Sequence, residues 1–272
     1  STPAASILGL NPGANYTFSI ITENASGSAM SGTVSTQTLA IAAPEAPTNL
    51  TLTNVTTTTC SIAWDPPTTG APFTYQIYNY GVEEFNVVFD NNSAQISGLL
   101  SNVMYSFTVT ASNSEGTSSP SVALEVVTLP NAVTNIVPTI LTSSVELSWA
   151  APTGLEALSY RVYKDSVFYA DTNEPTILIE SLDANTQYSI AIEARNASGA
   201  SEQASIIVIT QPAAVTELMV SNISSFGFEL TWATPVGNES LLTYEILING
   251  VPNIHAYVID NCATVFGLIA NT

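Results

Sequence analysis

The sequence predicts an all-β protein built from tandem copies of one folding unit, and three observations carry that prediction. One phrase recurs three times: Tyr16-Thr-Phe18-Ser-Ile20 leads to Asn24-Ala-Ser-Gly27, Tyr105-Ser-Phe107-Thr-Val109 to Asn113-Ser-Glu-Gly116, and Tyr188-Ser-Ile190-Ala-Ile192 to Asn196-Ala-Ser-Gly199. A second phrase interleaves with it: Cys60-Ser-Ile62-Ala-Trp64, Val145-Glu-Leu147-Ser-Trp149 and Phe228-Glu-Leu230-Thr-Trp232. Self-similarity at a long fixed period is the mark of a repeated structural unit. Within both phrases apolar residues alternate with Ser, Thr and Glu. That period of two, rich in β-branched and aromatic residues, predicts half-buried strands. No stretch has a helical period.

The elements follow in order within each repeat. The Trp strand turns Val145, Leu147 and Trp149 inward and Glu146 and Ser148 to water. Another alternating strand follows it: Tyr75-Gln-Ile77, Tyr160-Arg-Val162 and Tyr244-Glu-Ile246. Tyr80-Gly81, Asp165-Ser166 and Asn249-Gly250 predict tight hairpins after these strands. The Tyr strand comes next, six residues after Leu10, Leu99 and Leu182, and the Asn-x-x-Gly phrase turns it back. Pro-containing joints separate the units: Ala43-Pro44-Glu-Ala-Pro47, Leu129-Pro130 and Gln211-Pro212. Joints this short hold neighbouring domains close.

Composition sets the habitat. The 272 residues are 46% hydrophobic, enough for a core in each unit, yet only 9% are charged, against about 25% in ordinary soluble domains. Formal net charge is −19, from 22 acids and three bases. A phosphate backbone is bound by clustered Lys and Arg; Arg161, Lys164 and Arg195 are the whole supply, which excludes nucleic acid and an anionic membrane surface as partners. No apolar run approaches the ~18–20 residues of a membrane span, so no membrane insertion is expected in this segment. Two cysteines are too few for a disulfide framework. Cys60 occupies a core register and reads as a buried thiol. Cys262 is one step out of phase with Ala263 and Val265 and reads as more exposed.

These spaced markers resemble the fibronectin type III domain: an early strand Trp, a following Tyr-x-Ile/Val, a later Leu, and a Tyr six residues on. The tryptophans lie 85 (149 − 64) and 83 (232 − 149) residues apart. The resemblance covers the whole chain and implies tandem seven-stranded antiparallel immunoglobulin-like sandwiches. It implies that the core is carried by Trp64, Trp149 and Trp232, with Leu10, Leu99, Leu182, Tyr16, Tyr105 and Tyr188 forming a tyrosine corner in which the phenol bonds nearby backbone. By the family's strand order, residues 1–42 supply the C-terminal part of a domain (strands E to G). Residues 43–129 and 130–211 are complete domains. Residues 212–272 supply strands A to E of a fourth. Half sandwiches leave an open edge and an uncovered core face, so the segment reads as a window on a longer array; a sharper alternative completes one copy's C-terminal half with the next copy's N-terminal half.

Catalytic constellations are scarce. The single His, His255, forms neither a zinc set nor a triad, and no enzyme activity is expected. No cofactor is expected; calcium is a minor alternative at Glu83, Glu84, Asp90, Asn91 and Asn92, or at a joint through Glu45 or Glu217, since it needs six to eight converging oxygens. Arg161 and Arg195 fall by parity on one outer sheet face near Glu193, as a cross-strand charge ladder. No Arg-Gly-Asp triplet is present. N-glycosylation triplets occur at Asn15, Asn24, Asn49, Asn54, Asn91, Asn196, Asn222 and Asn238. An aromatic run, Tyr78, Tyr80 and Phe85, is the candidate ligand patch. The expected function is a non-catalytic structural or adhesive segment of a long extracellular repeat protein, at a cell or virion surface, forming or decorating a fibre. Its expected partners are neighbouring repeats, copies of itself, and other surface proteins or glycans. The alternatives are spacer modules of a secreted carbohydrate-active enzyme and a ligand-binding ectodomain.

Overall fold

The alternation in each repeat resolves into antiparallel strands in the computed structural model, which describes residues 4–84, 86–252, 256–259 and 261–266, without the side chains of Ala256 and Tyr257. His255, Phe85 and Leu268 lie outside the described residues. Two compact units divide the chain, Ser1–Thr128 and Leu129–Thr272.

In the first unit, β1 (Asn15–Phe18) pairs with β4 (Val34–Gln37), and β2 (Ile21–Asn24) with β3 (Gly27–Met30). These are the F and G strands of the first repeat. The expected strand E is absent from residues 4–14. A strand exists by its ladder, and strand E pairs with strand B; no strand B lies among the described residues of this repeat. The second repeat is complete. One sheet is β5 (Thr48–Val55), β6 (Thr59–Asp65), β10 (Ser93–Ser97) and β9 (Val87–Asp90). The other joins β8 (Val82–Glu83), β7 (Thr74–Asn79), β11 (Met104–Asn113), β12 (Gly116–Thr117) and β13 (Leu124–Val127). Cys60, Ile62, Trp64, Ile77, Ile96, Leu99, Phe107 and Val109 fill the space between them.

The second unit opens with the third repeat. Its sheets are β14 (Thr134–Ile140), β15 (Val145–Ala150) and β18 (Thr176–Ile179), and β17 (Val167–Thr172), β16 (Ser159–Lys164), β19 (Gln187–Asn196), β20 (Gly199–Ala200) and β21 (Ala204–Ile209). Val145, Leu147, Trp149, Tyr160, Val162, Leu182, Tyr188, Ile190 and Ile192 make its core. The fourth repeat forms one sheet, β22 (Thr216–Ser221), β23 (Gly227–Ala233), β27 (Cys262–Phe266) and β26 (Ala256–Ile259), and a short hairpin, β24 (Leu247–Ile248) with β25 (Val251–Pro252). Tyr244-Glu-Ile246, expected as a strand, has irregular backbone. The equivalent β16 is laddered to β19, and the described residues of the fourth repeat hold no such partner.

All three predicted hairpins turn through consecutive residues of positive φ: Tyr80 and Gly81, Asp165 and Ser166, Asn249 and Gly250. That is the mirror-image turn whose twist matches the flanking strands. The segment after this hairpin takes two routes. In the third repeat β17 stays on β16, held by Arg161, whose guanidinium grips both oxygens of Asp171 at 2.8 and 2.9 Å and lies over the Phe168 ring. The equivalent residues are Gln76 and Glu245 in the other repeats, which cannot make that grip, and there the segment crosses to the opposite sheet as β9 and β26. Phe89 on β9 meets the edge of Trp64.

Candidate functional site

Among the described residues the candidate sites are the corners, the joints and the charged face. Each corner begins with a residue in the left-handed region three before the Tyr: Gly13, Asn102 and Asn185, with φ of 66°, 54° and 49°. Gly and Asn are the residues that take this conformation at least cost. The turn then aims the phenol back at the chain. Tyr16 Oη accepts from the Asn11 amide at 2.8 Å, Tyr105 Oη from Leu100 at 2.7 Å, and Tyr188 Oη from Asp183 at 2.9 Å. Trp64, Trp149 and Trp232 are buried, each against a Tyr ring at 5.0–5.2 Å. Leu99, Leu182 and Tyr188 are buried; Leu10, Tyr16 and Tyr105 are half-buried.

Sequence reasoning passed over a second residue at each corner. Thr38, Thr128 and Thr210 close the last strand of their repeats. Each donates its hydroxyl at 2.6 Å to the carbonyl of the residue whose amide the Tyr holds: Asn11, Leu100 and Asp183. Each also accepts from the amide two before the Tyr: Ala14, Val103 and Thr186, at 3.0–3.1 Å. Two side chains therefore satisfy three backbone groups of one loop. The available signal was spacing: Thr follows Tyr by 22, 23 and 22 residues (38 − 16, 128 − 105, 210 − 188).

The joints are pinned by asparagines. Inside the first unit, Asn113 Nδ2 donates to the Ala42 carbonyl at 2.7 Å and to the Gly70 carbonyl at 2.8 Å. Its Oδ1 accepts from Glu115, as Asn24 Oδ1 does from Ser26 and Asn196 Oδ1 from Ser198, so the repeated Asn shapes its own turn. Inside the second unit, Asn185 Nδ2 donates to the Asn238 carbonyl at 2.7 Å, and the Asn238 amide returns a bond to the Asn185 carbonyl at 3.0 Å. A side chain at the neighbouring Gly237 would collide with the Ala184 carbonyl.

On the charged face, Arg195 bonds Glu193 at 2.7 Å, and the Tyr163 hydroxyl donates to the same Glu193 oxygen. The bidentate Arg161 hydrogen bond holds the Asp171 carboxyl below the usual carboxylate range. These are structural pairs, and they leave no free basic patch on that strand pair. Lys164 sits over the Tyr188 ring, 4.9 Å from its centre. Among the described residues no three His, Cys, Asp or Glu side chains converge, Glu83, Glu84 and Asp90 included, and no helix is long and apolar enough to cross a membrane. Tyr80 is exposed and Tyr78 half-buried. Of the glycosylation triplets, Asn15, Asn24, Asn49, Asn54, Asn91, Asn222 and Asn238 are exposed and Asn196 is half-buried.

Cys60 is fully buried and Cys262 half-buried. Burial, aided by Glu84, pushes the Cys60 thiol up to about 12. The thiolate is the reactive form, so Ellman's reagent is expected to find at most one thiol in the native protein and two in denaturant. Two fast-reacting native thiols would contradict the core position of Cys60.

Residues 45–127 match the family described as "Fibronectin type III domain". The chain is 33% identical over 187 residues to Chitinase A1 of Niallia circulans, covering 64% of this chain and 26% of the chitinase. It is 28% identical to the receptor-type tyrosine-protein phosphatase eta of Gallus gallus, covering 92% of this chain and 18% of the phosphatase. It is 29% identical to Exoglucanase B of Cellulomonas fimi, covering 75% of this chain and 21% of that enzyme. The chain thus spans about a quarter or less of these relatives.

Proposed function

From the premise that this chain is a tandem fibronectin type III array, we propose that it is a non-catalytic extracellular spacer that holds other parts of a larger surface fibre at a set separation. The observation that carries this reading is the pinning of the joints. A flexible tether would leave its linkers free, whereas here Asn113 ties the Ala42 linker and the Asn185–Asn238 pair ties neighbouring repeats. The charge supports the same role: at −19, copies of the array repel one another and stay soluble.

A spacer must resist extension. Pulled from its two ends in a single-molecule force experiment, the chain is expected to give two discrete unfolding events, one per complete sandwich. Each should release roughly 25–30 nm of contour, from ~3.4 Å per extended residue. Extension without discrete resistance would overturn the spacer role.

A second reading is favoured by the likeness to a chitinase and an exoglucanase: the array separates the parts of a secreted polysaccharide-degrading enzyme. It is decided by sequence flanking these 272 residues, which in that case encodes a domain with paired catalytic carboxylates.

A further inference from the structure

The third repeat leaves open a strand edge that the second repeat covers. In the third repeat the Trp149 amide donates to the Pro175 carbonyl at 3.0 Å, and Leu147 stands opposite Ile177 and Val145 opposite Ile179. Hydrogen-bonded pairs alternate along an antiparallel ladder. Ile177 and Ile179 therefore turn their backbone groups to β15, and Thr176 and Leu178 turn theirs to the outer edge of β18. Cys60 and Val145 each stand four residues before their Trp, and they face Ile96 and Ile179. By that register Ser93, Gln95 and Ser97 are the counterparts of Thr176, Leu178 and Glu180. In the second repeat β9 takes these groups: Asp90 lies opposite Ser93, Val88 opposite Gln95, and the Asn86 carbonyl accepts from the Ser97 amide at 2.9 Å.

In the third repeat β17, the strand at that place in the chain, is kept on β16 by the Arg161–Asp171 grip. Among the described residues the edge of β18 is met only by the Tyr169 hydroxyl, which accepts from the Glu180 amide at 3.3 Å. Leu178 is 49% exposed, and Ile177 is half-buried against the core. An edge with free backbone groups and aliphatic side chains is a template for one more strand. Charge selects which strand. Glu146, Glu174 and Glu180 are exposed around it, and residues 172–187 carry three acids and no base. The chain's three bases are each engaged with an acid of their own repeat. A second copy would bring the same acids to face these.

We propose that the β18 edge binds an extended segment of another protein, apolar at alternate residues and flanked by Lys or Arg. The segment lies antiparallel to β18, as β9 does on β10. It bonds Thr176 and Leu178 through its backbone, sets apolar side chains against Ile177 and Ile179, and places its basic flanks at Glu174 and Glu180. Ladder bonds supply affinity in this mode, and alternate side chains supply specificity. The acidic rim adds selection among partners. The inference gives the array a partner and stands whether or not the array acts as a spacer.

Backbone amide NMR of the 272-residue chain, titrated with the peptide Lys-Val-Thr-Val-Thr-Thr-Lys, tests the proposal. The Thr176 and Leu178 amides are expected to shift, and exchange of the Leu178 amide with solvent to slow. The same peptide with Glu in place of both Lys should bind at least about tenfold more weakly. Glu174→Lys combined with Glu180→Lys, at two exposed residues, should reverse that preference. Leu178→Pro removes the outward N–H and leaves the ladder to β15, so it should abolish binding while the third repeat still melts cooperatively. No shift along β18 at millimolar peptide overturns the proposal, as do equal affinities for the two peptides. Shifts that persist in Leu178→Pro overturn it by placing the peptide elsewhere. A concentration-dependent dimer of the chain alone that protects the Leu178 amide gives the edge to a second copy, and overturns it too.

Discussion

Truncating Trp149 to Ala is expected to destabilise the third repeat by roughly 3–5 kcal/mol. Trp149 is 6% exposed and packs among Val145, Leu147, Tyr160, Val162 and Ile192. An indole of this kind buries about 150–250 Å², and the sandwich around it cannot collapse without breaking ladders on both sheets. Against a domain stability of about 5–15 kcal/mol the loss could unfold the repeat outright. Calorimetry should show one of the two sandwich transitions fall by at least about 12 °C and the other stay. The indole N–H is buried without a hydrogen bond. The indole packs edge-on with the Tyr160 ring, 5.2 Å between centres. Trp149→Phe keeps an aromatic ring in the core and should cost clearly less than Trp149→Ala. Equal losses for the two variants, or a negligible shift for Ala, would mean that Trp149 does not carry this core.

Much of this core was legible because its signals are local. Alternation placed Val145, Leu147 and Trp149 inward. A positive-φ pair such as Asn249-Gly250 can scarcely be anything but a tight turn. The Leu-to-Tyr spacing pointed to the corners, and all three phenols find backbone amides. The features that escaped depend on partners far along the chain. Residues 4–14 and 244–246 have the composition of strands but, among the described residues, no neighbour to ladder with. Where β9 crosses to the opposite sheet, Gln76 stands in place of the third repeat's Arg161, a half-buried residue whose ion pair appears only once Asp171 is seen beside it. The corner threonines look like any other β-branched strand residue until their hydroxyls are placed against the loop. The function was less legible for a plainer reason. The proposed spacer role rests on the joints; Asn113, which ties one of them, reads in sequence only as a turn former, and nothing in the sequence marks Asn185.

The threonines supply the second large effect. Thr210 is 1% exposed. Its hydroxyl serves the Asp183 carbonyl and the Thr186 amide at once, while Tyr188 serves the Asp183 amide. Thr210→Val keeps the shape and removes the hydroxyl, leaving two backbone groups without that partner. At about 1–3 kcal/mol for each buried group left unsatisfied, the expected cost is roughly 2–4 kcal/mol. Tyr188→Phe strands one partly buried amide and should cost about 1–2 kcal/mol. The two changes act on the same residue of the same loop, so they should not add. Once Thr210 no longer holds the Asp183 carbonyl, the loop can lift and rehydrate, and the amide then loses little more when the phenol goes. A double-mutant cycle by urea denaturation of the third repeat's transition should give a double variant less destabilised than the sum, by about 0.5–2 kcal/mol. Strict additivity would mean that the two bonds are independent. A neutral Thr210→Val would mean that water replaces the hydroxyl at no cost, and the corner would then rest on the tyrosine alone.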